Sequence, residues 1–283
     1  MQSRKPAGPR RTAGGVAAYR LVLEYEGTRF QGWQKQGPGQ TQAGVRTVAG
    51  TLERLLAQNG HPPRILVGSG RTDAGVHAIA QVAHLHLDLP GPRPEELQLL
   101  LDRALPVDVA LVQIKRCDAT FHARHDALNR TYLYRISRRR SGLSKPFLWW
   151  VKGDLNVGRL TEAWEGFQGF RNITSFADLE PGDDPRCEIQ RCEWTTVGSM
   201  VLLRCTASHF KTRQVRRMVG AAVLCGLGQA KAQDILHDLE HPSPEATLRW
   251  SERAAPAAGL FLEKVVYPGP PMPATTDPSF GLL

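Results

Sequence analysis

The chain has 283 residues, enough for one large domain or two modest ones, and sets 36 Lys+Arg against 27 Asp+Glu, a net charge of +9. Its 41% hydrophobic and 22% charged residues are ordinary for a soluble globular protein, and it has no apolar run of about 18 residues to cross a membrane. The five irregularly spaced cysteines read as reduced thiols of a cytoplasmic protein, and Cys187 and Cys192 lack the second pair that zinc would need. The positive excess points to a polyanionic partner.

Residues 1–18 carry Arg4, Lys5, Arg10 and Arg11 with no acid, which reads as a disordered basic arm. Tyr19–Glu26 alternates apolar and polar, as a strand does. Val45–Ala57 lines up Val45, Val48, Leu52, Leu55 and Leu56 on one helical face. Ile65–Val67 and Gln81–Asp88 read as strands, Pro94–Ala104 as a helix with Pro in its first turn, and Val107–Ile114 as a strand. The order is then repeated. Arg130–Ile136 is a strand, Leu160–Phe167 a helix, and Ile189–Thr195 and Met200–Thr206 two more strands. Val215–Leu227 is a strongly apolar helix, Ala232–Leu239 a shorter one and Leu260–Tyr267 a closing strand. After Tyr267, a Pro-rich stretch reads as a tail over 268–283. Two β-α-β-β-α-β runs predict an α+β protein made of two ferredoxin-like halves with antiparallel sheets, over 19–120 and 121–267.

The densest cluster of special residues runs from Gly68 through Ser69, Gly70, Arg71, Thr72, Asp73, Ala74, Gly75, Val76 and His77 to Ala78. Glycines at 68, 70 and 75 imply a tight loop that another molecule can approach closely. Two readings stand for Arg71 and Asp73. They are a local ion pair in a turn, or a phosphate-binding cation beside a reactive carboxylate. A dinucleotide fingerprint fails, because Asp73 stands at the third glycine position and no helix follows. A hydrolase elbow fails too, since Gly68 and Gly70 flank Ser69 directly.

The string Gly70-Arg71-Thr72-Asp73-Ala74-Gly75-Val76-His77-Ala78 resembles the catalytic motif of the TruA family of tRNA pseudouridine synthases. So do the opening segment Tyr25–Gln34, the turn Leu105-Pro106-Val107-Asp108, and Phe121–Arg124 followed by Arg130–Tyr134. Phe210 with Val215–Gly220 resembles the helix of the family's second half, and Ala258–Leu262 its closing strand. The chain departs from the family pattern at Ala49, where Gln is usual, and at Asp102-Arg103-Ala104, where Asn is usual.

The resemblance implies the pseudouridine synthase fold and isomerisation of uridine at positions 38 to 40 of the tRNA anticodon stem-loop. It implies a homodimer acting on tRNA. It assigns Asp73 as the nucleophile or base and Arg71 as the residue that holds it ionised and fills the stack left by the flipped base. Tyr132 would pack on the extruded uracil and Arg216 would partner Asp73. From the residues alone, Tyr132 reads equally well as a core aromatic sharing a strand face with Tyr134, and Arg216 as a snorkelling helix residue. The isomerisation consumes no energy and changes no oxidation state, so no cofactor and no metal are expected.

His84 with His86, and His122 with His125, read as structural histidines rather than metal ligands, and Trp149-Trp150 as packing. The basic runs Arg138–Arg140 and Lys211–Arg217 read as solvated faces suited to phosphates. Two rival functions are a non-catalytic RNA-binding protein and a carboxylate-dependent nuclease. The Arg71–Asp73 pair argues against the first, and the absence of clustered acids for Mg²⁺ against the second.

Overall fold

The computed structural model describes residues 15–34 and 45–269. The expected arm and tail lie largely outside this range, although Val16–Ala18 already belong to the first strand. The first half contains β1 (Val16–Tyr25), α1 (Val48–Gln58), β2 (Ile65–Gly68), β3 (His77–Asp88), α2 (Pro94–Ala104) and β4 (Val109–Arg116). The second contains β5 (Asn129–Ser137), β6 (Trp149–Trp150), α3 (Val157–Glu165), β7 (Gly169–Asn172), β8 (Arg186–Val197) and β9 (Met200–Ala207). It closes with α4 (Gln214–Gly226), α5 (Ala232–Glu240), α6 (Pro244–Glu252) and β10 (Leu260–Val266). The sequence reading lacked β6, β7 and α6.

Local chemistry explains the helix starts. Thr47 caps α1 by accepting from the Gly50 amide, Asn156 caps α3 through Arg159 and Ser243 caps α6 through Ala246. Val45, counted on the α1 face, lies before the helix and is exposed.

The ten strands of the described residues form one sheet with the path β4-β1-β3-β10-β5-β9-β8-β7, β2 pairing with β3 and β6 with β5. Within it, β4-β1-β3-β2 and β10-β5-β9-β8 are the same four-strand order written twice, the mark of two ferredoxin-like units. The halves join through β3. One edge of β3 pairs with β1, and the other is shared between β2, at Ala83–His86, and a short parallel stretch of β10, at His77 and Ala78. The loop 69–76 leaves the sheet in the gap between them.

The helices bury their apolar faces in one large core, with Leu52 and Leu56 of α1, Leu160 and Trp164 of α3 and Met218 and Val219 of α4 fully buried. A smaller cluster of Ile79, Leu133, Leu148, Met200, Leu202 and Phe261 fills the opposite face. Strand β3 is buried on both faces from His77 to Leu87, with Ile79 in the smaller cluster and His84 covered by Phe121 and His122, although its sequence reads as one-sided alternation.

Candidate active site

Ser69 is the fixed point from which the glycine-rich loop departs. Its amide donates to Val82 O at 2.7 Å, its hydroxyl to Gln81 Oε1 at 2.7 Å, and its carbonyl accepts from Arg130 Nη2 at 2.8 Å. Fully buried Gln81 turns its amide nitrogen to Gly70 O at 3.0 Å. These bonds saturate the loop base.

The opening segment 25–34 wraps the loop. Tyr25 OH and Thr72 Oγ1 lie 2.8 Å apart, Trp33 N donates to Thr72 O at 3.1 Å, and Gly75 N donates to Phe30 O at 3.2 Å. Gly32, at φ +88°, must be glycine, because a Cβ there would strike the Thr72 carbonyl oxygen. A Cβ at Gly27 would meet the Val76 carbonyl in the same way. Asp108 buttresses the wrap by holding Arg46 through two 2.6 Å bonds, with the guanidinium 4.1 Å over the Phe30 ring. His77 closes the loop. Its Nδ1 accepts from Gly27 N at 2.9 Å, which leaves Nε2–H to donate to Pro146 O at 2.9 Å, and burial lowers its pKa.

The loop opens onto a cleft of about 520 Å³ between the halves, whose lining includes Arg71, Asp73, Tyr132 and Arg216. All four residues singled out from the sequence thus share one cavity. Asp73 projects from the first half and Arg216 from the first turn of α4 in the second, with Nη1 and Oδ2 3.6 Å apart. Arg216 is itself held by donating from Nε to Ala255 O at 2.7 Å. Tyr132 is buried with Phe210 edge-on to its ring at 5.1 Å, and burial pushes its hydroxyl pKa well above the ordinary phenol value. It stays a neutral ring near neutral pH. Tyr134, on the same strand face, is core, its hydroxyl donating to Pro256 O at 2.7 Å.

The expected Arg71–Asp73 contact is not formed among the described residues. Arg71 Nε donates to Gln34 Oε1 at 2.7 Å, and the cation at ion-pair distance from Asp73 is Arg216. Two residues apart on a turning loop, the Arg71 and Asp73 side chains diverge.

Other expectations divide. Lys211, Arg213 and Arg216 do line the cleft, but Arg217 is buried, bonded to Ala177 O and Asp178, so 211–217 is not one solvated face. Trp149 packs edge-on against Tyr134 while Trp150 is half exposed beneath Arg140. The rings of His84 and His122 lie 4.6 Å apart, and among the described residues no group of His, Cys, Asp and Glu is arranged to hold a metal. All five thiols are free. Neither Ala49 nor Asp102 lines the cleft. No described helix is long and apolar enough to cross a membrane.

Sequence reasoning assigned no role to Ser69, Gln81, Phe210 or Arg130. Gln81 and Arg130 carried a usable signal, as polar residues in apolar strands. Arg130 also shares the face of Tyr132 by the two-residue strand repeat.

The family model described as tRNA pseudouridine synthase matches residues 21–126 and 163–268, one segment in each half. A protein named tRNA pseudouridine synthase A from Beijerinckia indica subsp. indica is 38% identical over 267 residues, spanning 93% of this chain and 98% of that relative. Another of that name from Maricaulis maris (strain MCS10) is 34% identical over 255 residues, covering 89% and 98%. A third, from Paramagnetospirillum magneticum (strain ATCC 700264 / AMB-1), is 36% identical over 252 residues, covering 88% and 94%. Matched in both halves and along nearly its whole length, the chain belongs to the TruA family of tRNA pseudouridine synthases.

Proposed function

We propose that this isomerase converts uridine to pseudouridine at positions 38 to 40 in the anticodon stem-loop of tRNA, with Asp73 as the reactive carboxylate. One observation carries the reading. Asp73, from the first half, and Tyr132 and Arg216, from the second, converge on a single cleft large enough for one extruded nucleotide.

The chemistry asks little else of the protein. The N1–C1′ bond of uridine breaks, the base turns, a C5–C1′ bond forms, and the C5 hydrogen leaves as a proton while N1 gains one. A route through a covalent adduct and a route through sugar-proton abstraction both begin with a positioned anion. In this reading Asp73 supplies it, Arg216 fixes its direction, and Tyr132 offers a neutral ring for the uracil to stack on. Arg71 lies at the cleft wall, where its guanidinium can fill the stack that the base vacates. We further propose that the enzyme works as a homodimer.

The test is tritium release from C5-labelled uridine in tRNA, followed by gel analysis of the strand. Release from intact tRNA is the expected result. Binding without release would favour a non-catalytic RNA-binding protein, and a cut strand a nuclease.

A further inference from the structure

Arg130 is 7% exposed, and its guanidinium faces three backbone carbonyls from three different segments. Nη2 donates to Ser69 O at 2.8 Å and to Arg124 O at 2.6 Å, Nη1 donates to Ser208 O at 2.5 Å, and Nε reaches Ser69 O at 3.3 Å. Ser69 begins the loop that bears Asp73, Arg124 belongs to the crossing between the halves, and Ser208 follows β9 in the second half. Among the described residues no carboxylate lies within ion-pair distance of this guanidinium. A buried cation without a counter-charge is a costly way to join loops. What it supplies is geometry, since one rigid planar fork reaches three acceptors at fixed angles, which neither an ammonium nor an amide can do.

We propose that Arg130 is a positioning residue for the isomerisation, setting the distance between the Asp73 loop and the strand that carries Tyr132. It acts through Ser69. The amide and hydroxyl of Ser69 bond to β3, and Tyr267 of the second half also reaches its side chain, so the carbonyl is where the second half grips the backbone at the loop's origin. Tyr132 lies two residues along β5 on the same face, and both residues line the cleft. Loss of the fork frees the loop and Tyr132 to drift relative to each other. A misplacement of about 1 Å is enough to cost on the order of 100-fold in rate.

The inference rests on Asp73 being the reactive carboxylate, so Asp73→Asn is measured in parallel. An active Asp73→Asn removes both readings together, whereas an inactive one isolates the question about Arg130. Single-turnover rates on saturating enzyme, tRNA affinity and thermal midpoints are compared for Arg130→Lys and Arg130→Ala. Arg130→Lys is expected to keep the fold and bind tRNA within about threefold of wild type, while its rate falls about 100-fold. Arg130→Ala is expected to regain at least about tenfold in rate with added guanidinium, and nothing with sodium chloride at equal ionic strength. A wild-type rate at saturation combined with weakened tRNA affinity would make Arg130 an RNA contact and overturn the proposal. A full-rate Arg130→Lys, or a folded Arg130→Ala that does not respond to guanidinium, would also overturn it. If Arg130→Ala does not fold, Arg130→Lys decides alone.

Discussion

Asp73 and Arg216 meet across the seam between the two halves, with carboxylate oxygen and guanidinium nitrogen 3.6 Å apart. The two side chains are 28% and 20% exposed, so solvent screens the pair, and its contribution to folding is at most about 1 kcal/mol. Its use is directional. Asp73→Asn is expected to lower the single-turnover rate by at least about 10³-fold, within the range for loss of a positioned acid or base. The thermal midpoint and tRNA affinity should change little. Retention of a tenth of the wild-type rate would remove Asp73 from the chemistry.

Tyr132 offers a ring, not an ionisable group, because burial keeps its hydroxyl protonated. Tyr132→Phe preserves the ring and its edge contact with Phe210, and should stay within about tenfold of the wild-type rate. Tyr132→Ala removes the stacking surface and opens a void in the cleft floor, costing about 3–5 kcal/mol of stability as well as most of the activity. Equal rate losses in the two variants, both still folded, would reassign the hydroxyl as a proton donor or acceptor.

Much of this site was legible because its chemistry is local. Glycines at 68, 70 and 75 around Arg71 and Asp73 announce a loop of close approach, and the doubled element order announces two halves. What escaped was non-local. Arg71 finds Gln34, 37 residues earlier, which no spacing rule could pair, and Arg216 could be set against Asp73 only through the family resemblance, because they meet across the molecule. Strand β3 begins at His77 rather than Gln81 because Phe261 and Leu262 of β10 supply a partner that the local sequence does not reveal. The two-residue β6 and four-residue β7 are too short for any periodicity to register. Helix α6 did carry a start signal, Ser243-Pro244, but with Trp250 and Ala246 as its buried residues it presents too narrow an apolar stripe.

Acid should destabilise the fold through its buried histidines. Burial, then the neighbouring charges of His122 and His86, lowers the His84 pKa from 6.5 to about 4. His77 and His86 are buried and lowered as well, chiefly by burial, and partly buried His122 follows in the same direction. The unfolded chain therefore takes up protons first. Stability is full above about pH 6.5 and declines as pH falls from there toward the folded values. Thermal midpoints between pH 7.5 and 5, above most carboxylate titrations, should drop with falling pH. His84→Gln keeps an acceptor for the Ala123 amide and should flatten part of that slope. An unchanged midpoint across this window would refute the assignment.

Binding to tRNA should weaken steeply with salt. Arg71, Arg124, Arg130, Lys211, Arg213 and Arg216 line the cleft, although Arg130 is committed to three carbonyls, Lys211 is tied to Asp183, Arg213 to Asp178 and Arg216 to Asp73, which leaves Arg71 and Arg124 for phosphates. If the untied cations and the basic run at 138–140 meet phosphates, a plot of log affinity against log salt should slope at about −3 or steeper. A flat plot would mean that the cleft does not face the RNA backbone.

The proposed substrate range has a consequence for assembly. An enzyme that modifies three neighbouring uridines meets different flanking bases at each one, so base-edge contacts cannot guide it. It has to read backbone and overall shape, which calls for a long basic surface. A 283-residue subunit has a radius of gyration of about 19 Å by compact-domain scaling, too short to follow a whole tRNA from elbow to anticodon. Two subunits related by a two-fold axis would extend that surface and let one subunit orient the tRNA for the other's cleft. Light scattering should therefore give twice the 31.3 kDa chain mass, and a bare anticodon stem-loop should react far more slowly than full-length tRNA. A monomer that modifies the bare stem-loop at the full rate would sink the dimer and the shape-reading argument, while leaving the roles of Asp73 and Arg216 intact.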